Sequence, residues 1–393
     1  RYCGPGLARL PAGSPGIQAG RSVARGMAPL RDAFRDCELI INPSRYPQYV
    51  RVLRRILKKV HIAVVSESRD RDHFMDLVGS FCRGPNKHLL VWGGDGTAHA
   101  AINALMQCRE HPGVIEKSVG FLRGGTGNGI QDSYDVPLRV SRQLETYAES
   151  MIRGYQLNVD LLKVDDGSKV RYGQLLGLGF DVDVLQRRER NGRSGGFVGF
   201  LHYGRATIQS FFREDFRMGV PLNVELLDGK YAFRGTRVNA EFPFTRVRRV
   251  VNPVMLEVGT RPYYGKLFKV CPDVVCNDEN MDLYLFNFRR KGSIARHLPA
   301  LWAGRHQRIN KHLSRHRGGV IERFELKSMT IESQTPLDYH VDGELLSARR
   351  GPRGTSRINI TVEPRTLSFI VPGRFYRLFH PFDAEEITSP ANE

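Results

Sequence analysis

The stretch HLLVWGGDGT, residues 88–97, decides the fold, because an apolar run of strand length leads directly into a glycine turn. The segment AHAAINALMQ at 98–107 follows this turn and predicts a helix. The same layout returns in SVGFLRGGTGNG at 118–129. Strands that alternate with helices indicate a parallel sheet, in which ligands bind at the carboxyl ends of the strands. The stretch therefore predicts an α/β domain with a ligand site at its glycine turns.

The segments on the N-terminal side continue this alternation. ELIINP (38–43) and HIAVVS (61–66) predict strands, whereas PQYVRVLRRILKKV (47–60) and HFMDLVGSFC (73–82) predict helices. All four segments have the length of ordinary secondary-structure elements. The α/β domain is therefore expected to begin close to residue 34.

Beyond about residue 156 the pattern changes to short strand-like runs separated by turn signals, and GLGFDVDV (177–184) is one of them. A single helix is predicted near 198–212. From the N-terminus, the expected organisation is a flexible tail (1–33), the α/β domain (34–155), an antiparallel β domain (156–375) and a second tail (376–393).

The composition limits the classes of function. The 393 residues carry 59 Lys and Arg against 41 Asp and Glu, a formal net charge of +18 that favours polyanionic partners. No helix-turn-helix, RNA-recognition or zinc-finger signature accompanies the charge, so no nucleic acid is expected as a partner. Six cysteines without a CxxC pair suggest a reducing compartment, and the lack of an HExxH or clustered His/Cys set predicts no transition metal.

The two glycine turns, Gly93–Thr97 and Gly124–Gly129, are suited to hold phosphates. Glycines let backbone N–H groups approach a phosphate closely, and the N-terminus of the next helix favours negative charge. Neither turn has the dinucleotide-binding GxGxxG pattern or a Walker-type GxxxxGK[ST] pattern. Asp95 inside the first turn would repel phosphates unless it serves a metal ion or accepts a proton from an attacking hydroxyl.

Four motifs in one order resemble the diacylglycerol kinase/sphingosine kinase family of lipid kinases: GGDGT (93–97), GGTGNG (124–129), GLGFDVDV (177–184) and VDGE (341–344). The resemblance runs from about residue 36 to residue 373. It implies a Rossmann-like α/β nucleotide-binding domain of the NAD kinase/diacylglycerol kinase type, followed by a C-terminal antiparallel β-sandwich that binds lipid. The active site would lie in the cleft between the two domains.

The resemblance also implies roles for single residues. Asp95 would be the base for the lipid hydroxyl, Asp342 and Glu344 would arrange nucleotide and base chemistry, and Asp342 would hold Mg²⁺. Asp181 and Asp183 would meet the polar head of the substrate; because they alternate along a predicted strand, only one of them can face the cleft. The residues expected to bind nucleotide are Asn42, Gly94, Gly96, Thr97, Gly125, Thr126, Asn128, Arg190 and Gly343.

The implied function is an ATP- and Mg²⁺-dependent kinase for a hydroxyl of a lipid such as diacylglycerol or a sphingoid base. The implied location is the cytoplasm, with peripheral attachment to an anionic membrane surface. Two alternatives stay open: an NAD kinase-like enzyme, and a catalytically silent lipid-binding homologue. The oligomeric state is left open, with a homodimer among the possibilities.

Four positions depart from the family pattern. The segment Ser44–Pro47 replaces a glycine-rich stretch, Ala100 stands where a glutamate is usual, and Gly129 stands where many bacterial members have Asp. In the β domain, Asp278-Glu279 replaces the usual Asp-Gly. These changes allow an altered metal or lipid preference, or a loss of catalysis.

Overall fold

The computed structural model describes residues 33–43, 47–58, 60–111, 113, 116–190, 219–234, 237–265, 268–315, 320–352 and 354–381. The first predicted tail lies outside these residues except for residue 33, and the second lies outside them except for residues 376–381. The helix predicted near 198–212 and the departure at Ser44 to Tyr46 also lie outside them. In the part of the chain that is described, no helix is long and apolar enough to cross a membrane.

The first half of the chain alternates strands and helices as the sequence predicts. Its elements are β1 (Cys37–Ile41), α1 (Pro47–Leu57), β2 (Val64–Glu67), α2 (Arg71–Arg83), β3 (His88–Gly93), α3 (Asp95–Gln107), β4 (Ser118–Arg123), α4 (Gly129–Ser133) and α5 (Val140–Arg153). The four strands pair in parallel in the order β2-β1-β3-β4. Because β3 and β4 are neighbours, the two glycine turns that follow them lie side by side.

The second half is dominated by antiparallel strands. Its elements are β5 (Gln156–Asp165), β6 (Val170–Gly173), β7 (Leu175–Gly179), α6 (Phe180–Arg190), β8 (Leu222–Arg234), β9 (Arg237–Val251), β10 (Met255–Gly259), β11 (Tyr263–Gly265), β12 (Phe268–Lys269), β13 (Met281–Phe286), α7 (Lys291–Trp302), α8 (His306–Arg315), β14 (Ile321–Ser333), β15 (Asp338–Val341), β16 (Glu344–Ser347), β17 (Ser356–Ile370) and α9 (Gly373–Tyr376).

The last strand joins the two halves. β17 pairs with β14 and β5 in antiparallel fashion, and its end pairs in parallel with β4 at Ser368 and Phe369. One mixed sheet therefore runs through the molecule in the order β16-β15-β7-β10-β13-β14-β17-β4-β3-β1-β2. The predicted fold class, an α/β unit followed by an antiparallel β unit, is confirmed.

Each half of the chain has its own apolar core, except that the core of the α/β unit also contains residues from the β unit. The first core collects the parallel strands and their helices, but it also takes Leu157, Phe369 and Val371 from the two strand ends that cross over. The Phe369 ring packs edge-on against Phe121, with ring centroids 5.2 Å apart. A second core lies between the antiparallel strands. The C-terminal end of the β unit is thus anchored in the α/β unit.

One element of the β unit differs from the prediction. The run GLGFDVDV is not one strand: β7 ends at Gly179, and α6 starts at Phe180. Gly179 has φ of +93°, which turns the chain, and a Cβ there would lie 2.4 Å from the carbonyl oxygen of Val254. Asp181 and Asp183 lie in the first turn of α6, where carboxylates complement the helix dipole. The assumed strand alternation of these two acids was wrong.

Candidate active site

The two glycine turns touch each other. A Cβ on Gly125 would lie 2.3 Å from the Cα of Gly94, and a Cβ on Gly94 would lie 2.9 Å from the Cα of Gly125. Gly124 N–H donates to the carbonyl of Gly93 at 2.8 Å. Only residues without a side chain permit this approach, so the glycines of both motifs are needed for one shared crevice.

The Asp95 carboxylate lies across this junction. Its Oδ1 accepts hydrogen bonds from Gly129 N at 2.6 Å and from Ile130 N at 3.3 Å, both at the start of α4. A Cβ on Gly127 would lie 2.2 Å from Asp95 Oδ2. Burial raises the pKa of Asp95, and the nearby Asp342 charge adds to the rise, although Arg261 and the two N–H groups oppose it.

The polar side chains of the turns mostly bond to the turns themselves. Asn42 Nδ2 donates to Thr97 Oγ1 at 3.0 Å, which ties the end of β1 to the start of α3. Asn128 adopts a left-handed conformation (φ 57°), and its amide bonds to Gly125 N and to Gly125 O at 3.1 and 2.8 Å. These three predicted nucleotide residues therefore shape the crevice through their own hydrogen bonds.

The VDGE motif forms a hairpin turn between β15 and β16. Asp342 and Gly343 occupy its two central positions with φ of 49° and 85°, and Asp-Gly is a favoured pair for such a turn. The turn presents the Asp342 carboxylate to the molecule's interior, where it is 3% exposed. The Asp-Gly pair of this motif is therefore explained by the positive φ angles that the turn requires.

Asp342 is held by donors from several segments. Its Oδ1 accepts from Arg261 Nη2 at 3.0 Å, and its Oδ2 faces His99 Nδ1 at 3.2 Å. The backbone N–H groups of Gln174 and Leu175 also donate to the carboxylate. Although burial acts in the opposite direction, the Arg261 charge and the His99 hydrogen bond lower the pKa of Asp342 to about 2.

His99 joins the two acids of the VDGE motif. Its Nε2 lies 3.3 Å from Glu344 Oε2, and Glu344 also bonds to Arg71 at 3.2 Å through Nη1. His99 lies one helical turn after Asp95 on α3, so both side chains are on the same side of the helix. The imidazole therefore connects the helix that carries Asp95 with the hairpin that carries Asp342 and Glu344.

The predicted magnesium role does not fit Asp342. A Mg²⁺ ligand must offer an oxygen to the ion, but both oxygens of Asp342 already accept hydrogen bonds from protein donors. Both oxygens of Glu344 also accept from protein donors, but the Glu344 side chain is 30% exposed, so an ion can reach it more readily than Asp342. Asp342 is better described as a buried hydrogen-bond acceptor that connects β7, α3 and Arg261.

The predicted substrate acids separate in the structure. Asp181 is buried and lines an apolar cavity, together with Phe180, Val184, Val254, Met255, Phe268, Phe286, Phe288, Ile294, Leu298, Leu301 and Trp302. Asp183 points to the exposed side of α6. The side chain of Arg190, the predicted phosphate contact, lies outside the described residues, and Thr126 lies half-buried in its turn.

Two departures from the family pattern have a structural reason. A Cβ on Gly129 would lie 2.3 Å from the carbonyl oxygen of Tyr264, so no side chain fits at that position. Glu279 adopts φ of 64°, a conformation that favours glycine, and its N–H donates to Asp160 Oδ2 at 2.7 Å. At Gly129 the backbone therefore excludes a side chain, whereas at Glu279 a non-glycine residue adopts a conformation that favours glycine.

Comparison with known proteins agrees with this geometry. Residues 38–164 match the model of the diacylglycerol kinase catalytic domain, which includes both glycine turns and Asp95. Residues 38–164 thus resemble a diacylglycerol kinase catalytic domain. The resemblance drawn from the four motifs is confirmed, and the match supports a kinase of this family. A search of the curated proteins finds no match.

Solved structures show that the likeness extends past the kinase domain. A proposed diacylglycerol kinase of Bacillus anthracis str. Sterne superimposes with a TM-score of 0.60 at 15% identity, covering 87% of this chain and 99% of that one. A diacylglycerol kinase of the same organism gives a TM-score of 0.56 at 14% identity and covers 87% and 98%. These likenesses establish that the α/β unit and the β unit of this chain together have the same fold as the two solved structures.

Sequence reasoning missed several residues around the candidate site. The sequence motifs assign no role to Arg71, Arg261 or Glu257, and they do not decide between a site role and a packing role for His99. Arg261 is 1% exposed, and a buried arginine is almost always paired, but its burial is not visible in the sequence. The spacing of His99 four residues after Asp95 was the one available signal.

Replacing Gly125 by Ala tests the contact between the turns. We expect Gly125→Ala to lower the free energy of unfolding by about 1–3 kcal/mol, because the new methyl group overlaps the Gly94 backbone. Gly96→Ala is the matched control: nothing lies within 4 Å of its added Cβ, so it should be neutral or slightly stabilising in α3. Urea denaturation measures both, and equal stabilities would contradict the contact.

Proposed function

We propose that this protein is an ATP-dependent lipid kinase that transfers the terminal phosphoryl group to a lipid hydroxyl. The observation that carries the proposal is the Asp95 carboxylate at the junction of two touching glycine turns. An acid with a raised pKa between two phosphate-binding backbones is suited to accept a hydroxyl proton beside a nucleotide. The kinase family match and the apolar cavity support the same function.

Asp95 is the proposed general base. Its Oδ1 is fixed by two backbone N–H groups, which leaves Oδ2 to accept the proton of the attacking hydroxyl. The start of α3 supplies further N–H groups to the phosphates, and the glycines around Asp95 allow the nucleotide to approach the backbone. The transfer itself then depends on placing the hydroxyl in line with the terminal phosphorus.

His99, Asp342 and Arg261 are proposed to position this base. Arg261 balances the buried charge of Asp342, and His99 links that charge to α3, so the helix cannot shift without breaking both contacts. Mg²⁺ bound with ATP would neutralise phosphate charge, with Glu344 as the proposed protein ligand. Asn42, Gly94, Gly96, Thr97, Gly125, Thr126, Asn128, Arg190 and Gly343 are proposed as the nucleotide-binding set.

The apolar cavity is the proposed entrance for the lipid. Aromatic and aliphatic side chains line it, whereas Asp181 supplies a carboxylate at its wall. Such a lining would bury acyl or alkyl chains and keep the polar head near the acids of the cleft. Asp181 is therefore proposed to face the head of the substrate, and Asp183, which is exposed, is a weaker candidate for that contact.

The decisive experiment measures phosphate transfer from ATP to a panel of lipids that includes diacylglycerol and sphingoid bases. Asp95→Asn keeps the shape of the side chain but removes the base, so we expect turnover to fall by about 10²–10⁴-fold. Asp72→Asn, an exposed acid in the first turn of α2, is the control and should keep full turnover.

The same assay separates the alternatives. Phosphorylation of NAD in place of lipids would favour the NAD kinase-like enzyme. Lipid binding without turnover, with either Mg²⁺ or Mn²⁺, would favour the silent homologue. Equal rates for Asp95→Asn and the native chain would exclude Asp95 as the base while leaving a kinase reaction in place.

The pH dependence follows from the direction of the Asp95 pKa. A general base must be deprotonated, and burial raises the pKa of Asp95 above its ordinary value of 3.8. We therefore expect kcat to fall as the pH is lowered through the raised pKa, about tenfold per pH unit below it, while Asp95→Glu moves this limb. Circular dichroism at each pH checks that the fold persists, and an acid limb unaffected by Asp95→Glu would contradict the assignment.

The excess positive charge predicts peripheral attachment to anionic membranes. α1 carries the exposed residues Arg51 and Arg55, and each cation near an anionic surface is worth about 1 kcal/mol. We expect binding to vesicles with anionic lipid to weaken steeply as salt rises, and Arg51→Ala/Arg55→Ala to weaken it by about 30-fold. Vesicle flotation measures this, neutral vesicles are the control, and salt-independent binding would contradict it.

A further inference from the structure

Three strands and a helix bring Asp181, Glu257 and His340 together next to the kinase site. β10 and β15 flank β7, and both Glu257 and His340 pair in register with Gly177. Residues directly opposite each other in antiparallel strands project from the same face of the sheet. Glu257 and His340 therefore stand on either side of Gly177, and Asp181 reaches over them from the first turn of α6.

Gly177 leaves a space on which the three side chains converge. A Cβ at Gly177 would lie 2.1 Å from Asp181 Oδ2, 2.4 Å from His340 Nε2 and 2.7 Å from Glu257 Oε1. The three atoms lie within 4.8 Å of one another. No other residue type would fit there, so the sheet itself keeps this space open between two carboxylates and an imidazole.

The charge in this space is poorly balanced by the protein. Glu257 and His340 are each 0% exposed and Asp181 is 5% exposed. Among the described residues, no N–H or O–H donor bonds to either carboxylate oxygen of Glu257 or to Asp181 Oδ1, and a proton shared with Asp181 is the hydrogen bond open to Glu257. The guanidinium of Arg261, whose charge acts on Glu257, bonds to Asp342 and to the Tyr263 carbonyl. Buried carboxylates without hydrogen bonds normally share a proton or coordinate a metal ion.

We propose that Asp181, Glu257 and His340 form a binding site for a divalent transition metal of the Zn²⁺ type. One imidazole nitrogen and two carboxylate oxygens form a mixed ligand set that suits Zn²⁺, with which they bond at about 2.0–2.2 Å. Mg²⁺ and Ca²⁺ favour oxygen ligands alone. The two positive charges of the ion balance the two carboxylates, which the surrounding side chains do not.

Binding requires a small local rearrangement. Asp181 Oδ2 and His340 Nε2 are 2.5 Å apart, so they must separate to admit an ion between them. The imidazole proton then resides on Nδ1, and the 3.3 Å hydrogen bond from Gly343 N to Nδ1 is lost. Gly343 is only half-buried, so water can replace that bond. The fourth ligand position is left for a water molecule or an oxygen of a bound lipid, because Asp181 also lines the apolar cavity.

The site is distinct from any magnesium bound with the nucleotide. Its ligands come from the β unit alone and include none of the acids placed beside the glycine turns. A bound ion would connect α6 to β10 and to β15, the strand that leads into the Asp342 turn. The inference holds whether or not the chain transfers phosphate.

The test measures metal binding by the full chain without a histidine tag. After treatment with EDTA, the protein is titrated with Zn²⁺ and dialysed, and its metal content is measured by mass spectrometry. We expect one equivalent of tightly bound Zn²⁺ and a higher melting temperature with the ion. Glu257→Gln should weaken binding by at least about 10-fold, whereas Asp183→Asn, an exposed acid on the same helix, should bind as the native chain does.

Co²⁺ substitution identifies the ligand type. Nitrogen and oxygen ligands give visible d–d absorption, whereas thiolates add an intense near-ultraviolet band, which would assign the ion to a cysteine and overturn the proposal. Failure of the native chain to retain stoichiometric Zn²⁺, or unchanged binding by Glu257→Gln, would also overturn it in favour of a shared proton. If Glu257→Gln does not fold, Asp181→Asn provides the same comparison.

Discussion

The arrangement of the candidate site depends on the buried Asp342 carboxylate. It receives hydrogen bonds from Arg261, from the backbone at the start of β7 and from His99 on α3, so it joins the β unit to the α/β unit through one charged group. Removing one partner of such a buried ion pair commonly costs about 3–5 kcal/mol, because the other charge is left uncompensated. The relative position of Asp95 and the VDGE hairpin therefore follows from charge balance as much as from apolar packing.

A second constraint acts at the glycine turns. Their backbones approach so closely that side chains are excluded, and the Asp95 carboxylate is fixed by N–H groups that belong to the second turn. Asp95, the proposed base, is consequently held in place by the second glycine turn. The same requirement explains Gly129, because the Tyr264 carbonyl occupies the space of a side chain.

The sequence predicted what depends on short stretches of chain. Strand-turn-helix patterns identified the parallel sheet, and the two glycine motifs identified the crevice and Asp95. It did not predict contacts between distant segments: His99 and Asp342 are 243 residues apart, and Arg261 gave no signal of its burial. The acids of GLGFDVDV were assigned to a strand because alternation of apolar and polar residues resembles one, whereas Gly179 turns the chain into a helix.

The net charge of +18 does not show that acidic and basic side chains lie in different parts of the molecule. The described cleft is rich in acids, and its buried cations are engaged with them, as Arg261 is with Asp342. Exposed arginines lie elsewhere, on α1 and on β9, where Arg246 and Arg248 share the single carboxylate of Glu225. An acidic cleft attracts cations and tolerates nucleotide phosphates only with a metal ion or with backbone donors. Among the described residues, these exposed arginines lie on the outer surface, where the proposed anionic membrane would meet them.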